Sequence, residues 1–258
     1  MLELGVLTLN WLQSMLLPLT RLSAFFLAAP LFTQSAGTTR IRIIYAAVLC
    51  MVVMPVFPSS LSNPGLPYGE PNLLLLLSEA LIGVSMGLAL QFVTAAVVTA
   101  GEQISMSVGI SFAQSFDPTL GSTPILSQFL NLLALLIFLT AGGHTIMISM
   151  ITESIRAMPP GEFRLADIPS LLEFSGIIFK GAALLAAPLL LALLAVNLGV
   201  GALSRATPSL NVFAVGFAVS LLVGFGLLFL LMPAIGERIS ELWQQAGAYI
   251  RPRLLGES

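Results

Sequence analysis

The chain has 258 residues, 57% of them hydrophobic and only 9% charged, with a formal net charge of −2 and a mean hydropathy of +1.00. Ordinary soluble domains carry roughly 25% charged residues, so the composition excludes a water-soluble globular domain and points to a membrane protein. The ten Lys and Arg residues are scattered along the chain, which excludes nucleic acid as a partner and any polybasic lipid-binding patch.

Long stretches carry no Asp, Glu, Lys or Arg: Leu22 to Thr39, Ile43 to Gly69, Ala80 to Gly101, Pro118 to Thr152, Gly181 to Ser204 and Ala206 to Gly236. Several exceed the roughly 20 apolar residues that cross a bilayer core. They predict an all-α chain with helical segments near 4–29, 40–56, 72–100, 124–152, 170–200 and 209–236. The N-terminal run has Glu3, no basic flank, and Arg21 where a signal peptide keeps its apolar core or cleavage site. It is expected to be retained structure. Pro18, Pro30 and Pro188 interrupt apolar runs and predict broken helices, while Arg21 needs partners within the protein. Cys50, the single cysteine, reads as a small buried side chain.

"PVFPSSLSNPGLPYGEP" (55–71) and "RAMPPGEFRLADIPS" (156–170) are linkers that cannot continue a helix. The tail from Glu237 places Ile239, Leu242 and Trp243 on one face, which predicts a short amphipathic or interfacial helix. If the six segments alternate, Arg40, Arg42 and Arg205 fall on one side and Arg156, Arg164, Arg238, Arg251 and Arg253 on the other. That bias is modest, as it would be if the segments were not independent lipid spans.

"GEQISMSVGISFAQSFDPTLGSTP" (101–124) suits neither water nor lipid, since Glu102 and Asp117 are its only charges and it is rich in Ser and Gln. Wound as a helix, it gives four rows at i, i+4 spacing. Gly101, Ser105, Gly109 and Ala113 are small, which lets another backbone approach. Gln103, Ser107, Ser111 and Ser115 are polar and uncharged. Glu102, Met106, Ile110 and Gln114 are mixed, and Ile104, Val108, Phe112 and Phe116 are apolar. Asp117-Pro118 ends the helix. The residues fit a partly wet protein interior, either as a hairpin packed on its own chain or as a constriction closed by Met and Phe.

Elsewhere, Gly83 and Gly87 form a GxxxG pattern, and Gly216, Ser220 and Gly224 a similar small row; both fit helix packing. Glu79 is placed near a helix start, where a carboxylate favours the dipole. Lys180 and Arg205 flank an apolar run as snorkelling ends, and Asn197 and Asn211 are candidates for hydrogen bonds across helices. His144 has no neighbouring ligand that would make a metal site. No P-loop, nucleophile elbow or zinc-protease motif is present, so neither enzyme activity nor a cofactor is expected. A solute carrier would need an internal repeat, and the chain has no convincing one.

"RLSAFFLAAPLF" (21–32), "GEQISMSVGISFAQSFDP" (101–118), "AGGHTIMISMITESIRAMPPGEF" (141–163) and "RATPSLNVFAVGFAVSLLVGF" (205–225) together resemble, nearly end to end, the FliR family of flagellar export-gate proteins. The SctT family of virulence secretion shares the pattern. The resemblance implies a structural and gating subunit of a helical pore assembly in the bacterial inner membrane, at the flagellar basal body, passing unfolded export substrates. It implies FliP-like and FliQ-like partner subunits, together with FlhB-like and FlhA-like components and membrane lipid. It also implies a FliP-like part over 1–180 and a FliQ-like hairpin and tail over 181–258, with the gate held largely above the membrane plane. Within the first part, residues 101–124 become a pore plug, with Met106, Val108, Gly109, Ile110, Phe112, Phe116, Asp117 and Pro118 as its site residues. Gly83, Gly87, Gly101, Ser105, Pro208, Asn211, Phe213 and Gly216 are assigned to helix packing and assembly.

Overall fold

The computed structural model describes residues 2–30, 39–53, 73–110, 124–160, 168–206 and 212–250. They form eight α-helices: α1 (Leu2–Ala28), α2 (Thr39–Val53), α3 (Leu73–Val108), α4 (Ile125–Thr140), α5 (Gly143–Ala157), α6 (Ile168–Ser175), α7 (Ile177–Ala206) and α8 (Val212–Tyr249). Among the described residues three runs are long and apolar enough to cross a membrane, Leu73–Val108, Ile168–Leu203 and Val215–Tyr249, or four if the bent pair α4 and α5 counts as one span. A 36-residue helix such as α3 is about 54 Å long at 1.5 Å per residue, well beyond a bilayer core of about 30 Å. The chain is an all-α membrane protein.

Of the three prolines expected to break helices, only Pro30 lies at a helix end, two residues beyond the last residue of α1; Pro18 and Pro188 break nothing, nor does Pro233. α1, α7 and α8 run through Pro18, Pro188 and Pro233. A proline costs a helix one hydrogen bond and a clash, and packing on either side offsets it: Met15 and Leu17 flank Pro18 and are buried, as is Leu189 beside Pro188. Glycine makes the break instead. The expected 124–152 segment is two helices, α4 and α5, parted at Gly142, whose φ of 77° is open to few residues but glycine. Its carbonyl accepts from the Thr145 and Ile146 amides at 2.9 and 3.1 Å, and from Thr145 Oγ1 at 2.6 Å. The expected separate tail helix does not form either. α8 continues to Tyr249, and Ile239, Leu242 and Trp243 are buried, because their apolar face meets protein.

The chain divides into two compact units, each assembled from separated stretches. The first takes the described residues of 1–91, 142–175 and 245–258 and is organised around a buried charge. On α3, Glu79, Gly83 and Gly87 stand at i, i+4 and i+8, one row of a helix. A Cβ on Gly87 would lie 2.5 Å from Ala28 Cβ and 2.8 Å from the Phe25 carbonyl, and one on Gly83 would run into the Arg21 carbonyl. The two glycines therefore bring α1 and α3 to backbone contact, and the next residue up the row, Glu79, accepts from Arg21 Nε at 2.6 Å. Arg21 is 2% and Glu79 1% exposed. Arg21 Nη1 donates to the Ser154 carbonyl at 2.9 Å, to Ser154 Oγ at 3.0 Å and to the Met158 carbonyl at 2.9 Å. It thus caps the end of α5, where a cation also suits the helix dipole. Glu79 is in the second turn of its helix, and its main partner is a guanidinium. α2 packs on α1, with Tyr45 edge-on to Phe26 at 5.1 Å and Cys50 buried. At the far end Tyr249 stacks on Phe174 at 4.2 Å and shares a 2.8 Å hydrogen bond with Ser170.

The second unit takes the described residues of 92–141 and 176–244. Gly101 fits directly on Ser127 of α4, where an added Cβ would be 2.5 Å from the Ser127 Cα, and Gly181 of α7 fits against Ala96 and Leu242. Trp243 packs on Phe138 at 4.3 Å and donates Nε1–H to the Ala134 carbonyl at 3.1 Å.

Because removing one partner of a buried ion pair strands the other charge, Arg21→Met and Glu79→Gln should each destabilise the protein by about 3–5 kcal/mol. The double variant Arg21→Met/Glu79→Met should recover most of that loss, since apolar replacement of a whole buried pair is often near neutral. Thermal unfolding of the membrane-extracted protein would check this. A double variant that loses the full sum of two single-site losses would contradict the pairing.

Candidate functional site

Of the segment 101–124, residues 101–110 and Pro124 are described, and 101–108 are helical as expected. α3 ends at Val108, and Gly109 follows with φ 95°, its amide shared between the Ser105 and Met106 carbonyls at 3.1 and 3.2 Å. This is a positive-φ glycine interrupting the helix, and Ile110 after it is helical again. Phe112, Phe116, Asp117 and Pro118 lie outside the described residues, as do Pro208 and Asn211; Phe213 lies in α8, with its side chain outside them.

Over Gly101 to Ile110 the four rows separate by environment. Gly101 and Ser105 of the small row are buried, as are Ile104 and Val108 of the apolar row, so two adjacent rows face the protein. Met106 is 65% exposed and its row neighbours Glu102 and Ile110 are half-buried, so this row faces outward. Gln103 and Ser107 of the polar row line a groove of about 540 Å³ whose other wall is α7, through Ala183, Ala187, Leu190, Leu194 and Asn197. No charged side chain lines it. Asn197 Oδ1 accepts from Ser220 Oγ at 2.8 Å, the expected bond across helices, between α7 and α8.

α8 covers the end of α3. Phe217 Cε2 is 3.0 Å from where a Cβ would stand on Gly109, and at Gly224 a Cβ would be 2.7 Å from Val108 Cγ2. Phe217 and Gly224 are seven residues apart, two turns along one face. The sequence marks Gly224 as a small position but holds no signal that Val108 fills it. Gly216 sits close to its own chain, 3.1 Å from Val200 Cγ1 when a Cβ is added. Gly83 and Gly87 serve the contact with α1 described above.

Little else in the described residues could do chemistry. No group of three or more His, Cys, Asp or Glu side chains could hold a metal ion among them, and His144 is exposed in the first turn of α5. The arrangement offers apolar surface, small-residue contacts and an uncharged polar groove.

The family model described as "Bacterial export proteins, family 1" matches residues 12–246. The chain is 36% identical over 239 residues to the flagellar biosynthetic protein FliR of Pectobacterium carotovorum subsp. carotovorum, covering 92% of this chain and 90% of that one. It is 33% identical over 240 residues to FliR of Escherichia coli (strain K12), covering 92% and 91%, and 32% identical over 228 residues to FliR of Bacillus subtilis (strain 168), covering 85% and 86%. With near-complete coverage of both chains and an ordered match from Leu12 onward, the chain belongs to the FliR family of bacterial export proteins.

Proposed function

We propose that this chain is a structural and gating subunit of the flagellar type III export gate. In this reading it sits in the bacterial inner membrane at the flagellar basal body and forms, with FliP-like and FliQ-like subunits, a channel for unfolded export substrates. FlhB-like and FlhA-like components are its further neighbours, and the energy for export comes from partners, with no catalysis by this chain. Residues 1–180 act as the FliP-like part and 181–258 as the FliQ-like hairpin and tail.

The observation that carries the reading, beyond family membership, is the surface of the last two long helices. Only 22% of the apolar window in Ile168–Leu203 and 17% of that in Val215–Tyr249 is buried within the chain. Leu191, Leu198, Leu222, Phe229 and Leu230 are each at least 66% exposed. Lipid alone could cover such side chains, but the glycines among them argue for protein. A Cβ on Gly199 or Gly226 would meet nothing within 4 Å, so neither glycine serves a contact among the described residues. Glycine inside a helix costs about 0.8–1 kcal/mol relative to alanine, and its use in membrane helices is to let a second backbone come close. A subunit of a helical assembly needs such faces.

The segment 101–124 is the plug in this reading. Met106 faces outward and Ile110 is half-buried; with Phe112 and Phe116 they would make an apolar constriction that excludes water.

Two outcomes are expected. Yield and protease resistance should depend strongly on co-expression with FliP-like and FliQ-like subunits; equal yield as a lone monodisperse monomer would count against the reading. Removing residues 112–116 should leave the complex assembled but make membranes leaky to ions and small solutes. Normal yield with no added conductance would refute the plug. Lost yield would favour a packed hairpin needed for assembly.

A further inference from the structure

The end of α3 is held in an unusual way, and it is the point from which the plug departs. Val108 is 3% exposed, and it occupies the space that a side chain at position 224 would need: a Cβ there would be 2.7 Å from Cγ2, 2.9 Å from Cγ1 and 3.4 Å from Cβ of Val108. Valine in a helix has one strongly preferred rotamer, so Val108 cannot swing aside at low cost, and the two helices must part if position 224 grows. One residue later Gly109 adopts φ 95°, and the Phe217 ring covers it, with Cε2 and Cδ2 3.0 and 3.1 Å from an added Cβ. The last turn of α3 and the positive-φ backbone at Gly109 are thus both held by one face of α8.

We propose that Val108 seated on Gly224, with Phe217 over Gly109, is a latch that positions the plug; this rests on the plug reading above. The four residues are positioning residues. They act through packing, by fixing the last turn of α3 and the backbone at Gly109. The proposal assigns Val108 and Gly109, which belong to the segment read as a plug, to its anchorage, and it leaves Met106 and Ile110 for the seal. The left-handed turn at Gly109 makes the assignment specific, because a residue with a Cβ would be strained there and would also meet Phe217.

The test uses the full chain co-expressed with its partner subunits, reading complex yield and the ion conductance of membranes containing it. Gly224→Ala should leave the complex assembled and raise basal conductance roughly tenfold, since overpacking a tight contact shifts an equilibrium by about that much. Val108→Ala/Gly224→Ala should restore a tight membrane, because the added Cβ would then face only the Val108 Cβ position at 3.4 Å. Merely general damage to helix packing would not be repaired by removing two methyl groups elsewhere. If Gly224→Ala fails to assemble, Val108→Ala alone supplies the test, loosening the latch without overpacking, and it too should leak. A tight Gly224→Ala or Val108→Ala complex overturns the latch if removal of residues 112–116 leaks, and the plug reading then stands. A Gly224→Ala leak that the double variant does not reverse also overturns it. A tight complex after removal of residues 112–116 overturns the plug and the latch together.

Discussion

The structure of the first unit follows from one buried ion pair. Arg21 and Glu79 lie on helices that are far apart in sequence, and both are almost completely removed from solvent. An arginine in that position has to be paired or it costs several kcal/mol of desolvation. The pairing requires α1 and α3 to touch along Gly83 and Gly87, and Nη1 of the guanidinium reaches the end of α5 at Ser154 and Met158. One side chain therefore ties three helices, and it satisfies carbonyls that a helix terminus otherwise leaves open. The pair gives the unit little net stability compared with a well-packed apolar core. What it supplies is registry, since sliding any of the three helices would break the bonds from Arg21 to Glu79, Ser154 and Met158.

The second unit solves a different problem. Its helices are long and apolar but bury few of their side chains in their own chain, and the internal contacts they do make rely on small residues: Gly101 on Ser127, Gly181 on Ala96, Gly224 on Val108. Such contacts are short-range and shape-specific, so they fix where helices cross while leaving broad outer faces for other partners. The same unit carries the end of α3 and the uncharged groove beside it. Close packing at small residues and a large exposed apolar surface thus reside in the same set of helices.

Much of this was legible in the sequence. The charge-free runs placed six helical segments, and the four rows of 101–110 separate in the structure as their chemistry indicates; the linker expected at 55–71 lies outside the described residues, and of the one expected at 156–170 both described ends are helical, at Arg156–Ala157 and Ile168–Ser170. Asn197 was marked as a candidate for a bond across helices, and it makes one with Ser220. Two kinds of information were not legible. Proline marks a missing hydrogen bond, but whether the helix breaks depends on packing around it, which is a property of the fold; α1 and α7 continue through Pro18 and Pro188, and the expected 124–152 segment is broken at Gly142. Long-range pairing was also hidden. Arg21 announced that it needed a partner, yet nothing near it named Glu79, 58 residues away, and nothing in the small row of α8 named Val108.

The central claim is that the exposed faces of α7 and α8 are covered by other polypeptides of the export gate. The most direct measurement places a photoreactive residue at Phe229, which is 84% exposed, and illuminates membranes that contain the native assembly. The account predicts a cross-linked species whose added mass and peptides are those of a FliP-like or FliQ-like subunit. Labelling of lipid alone, with no second polypeptide attached, would contradict it.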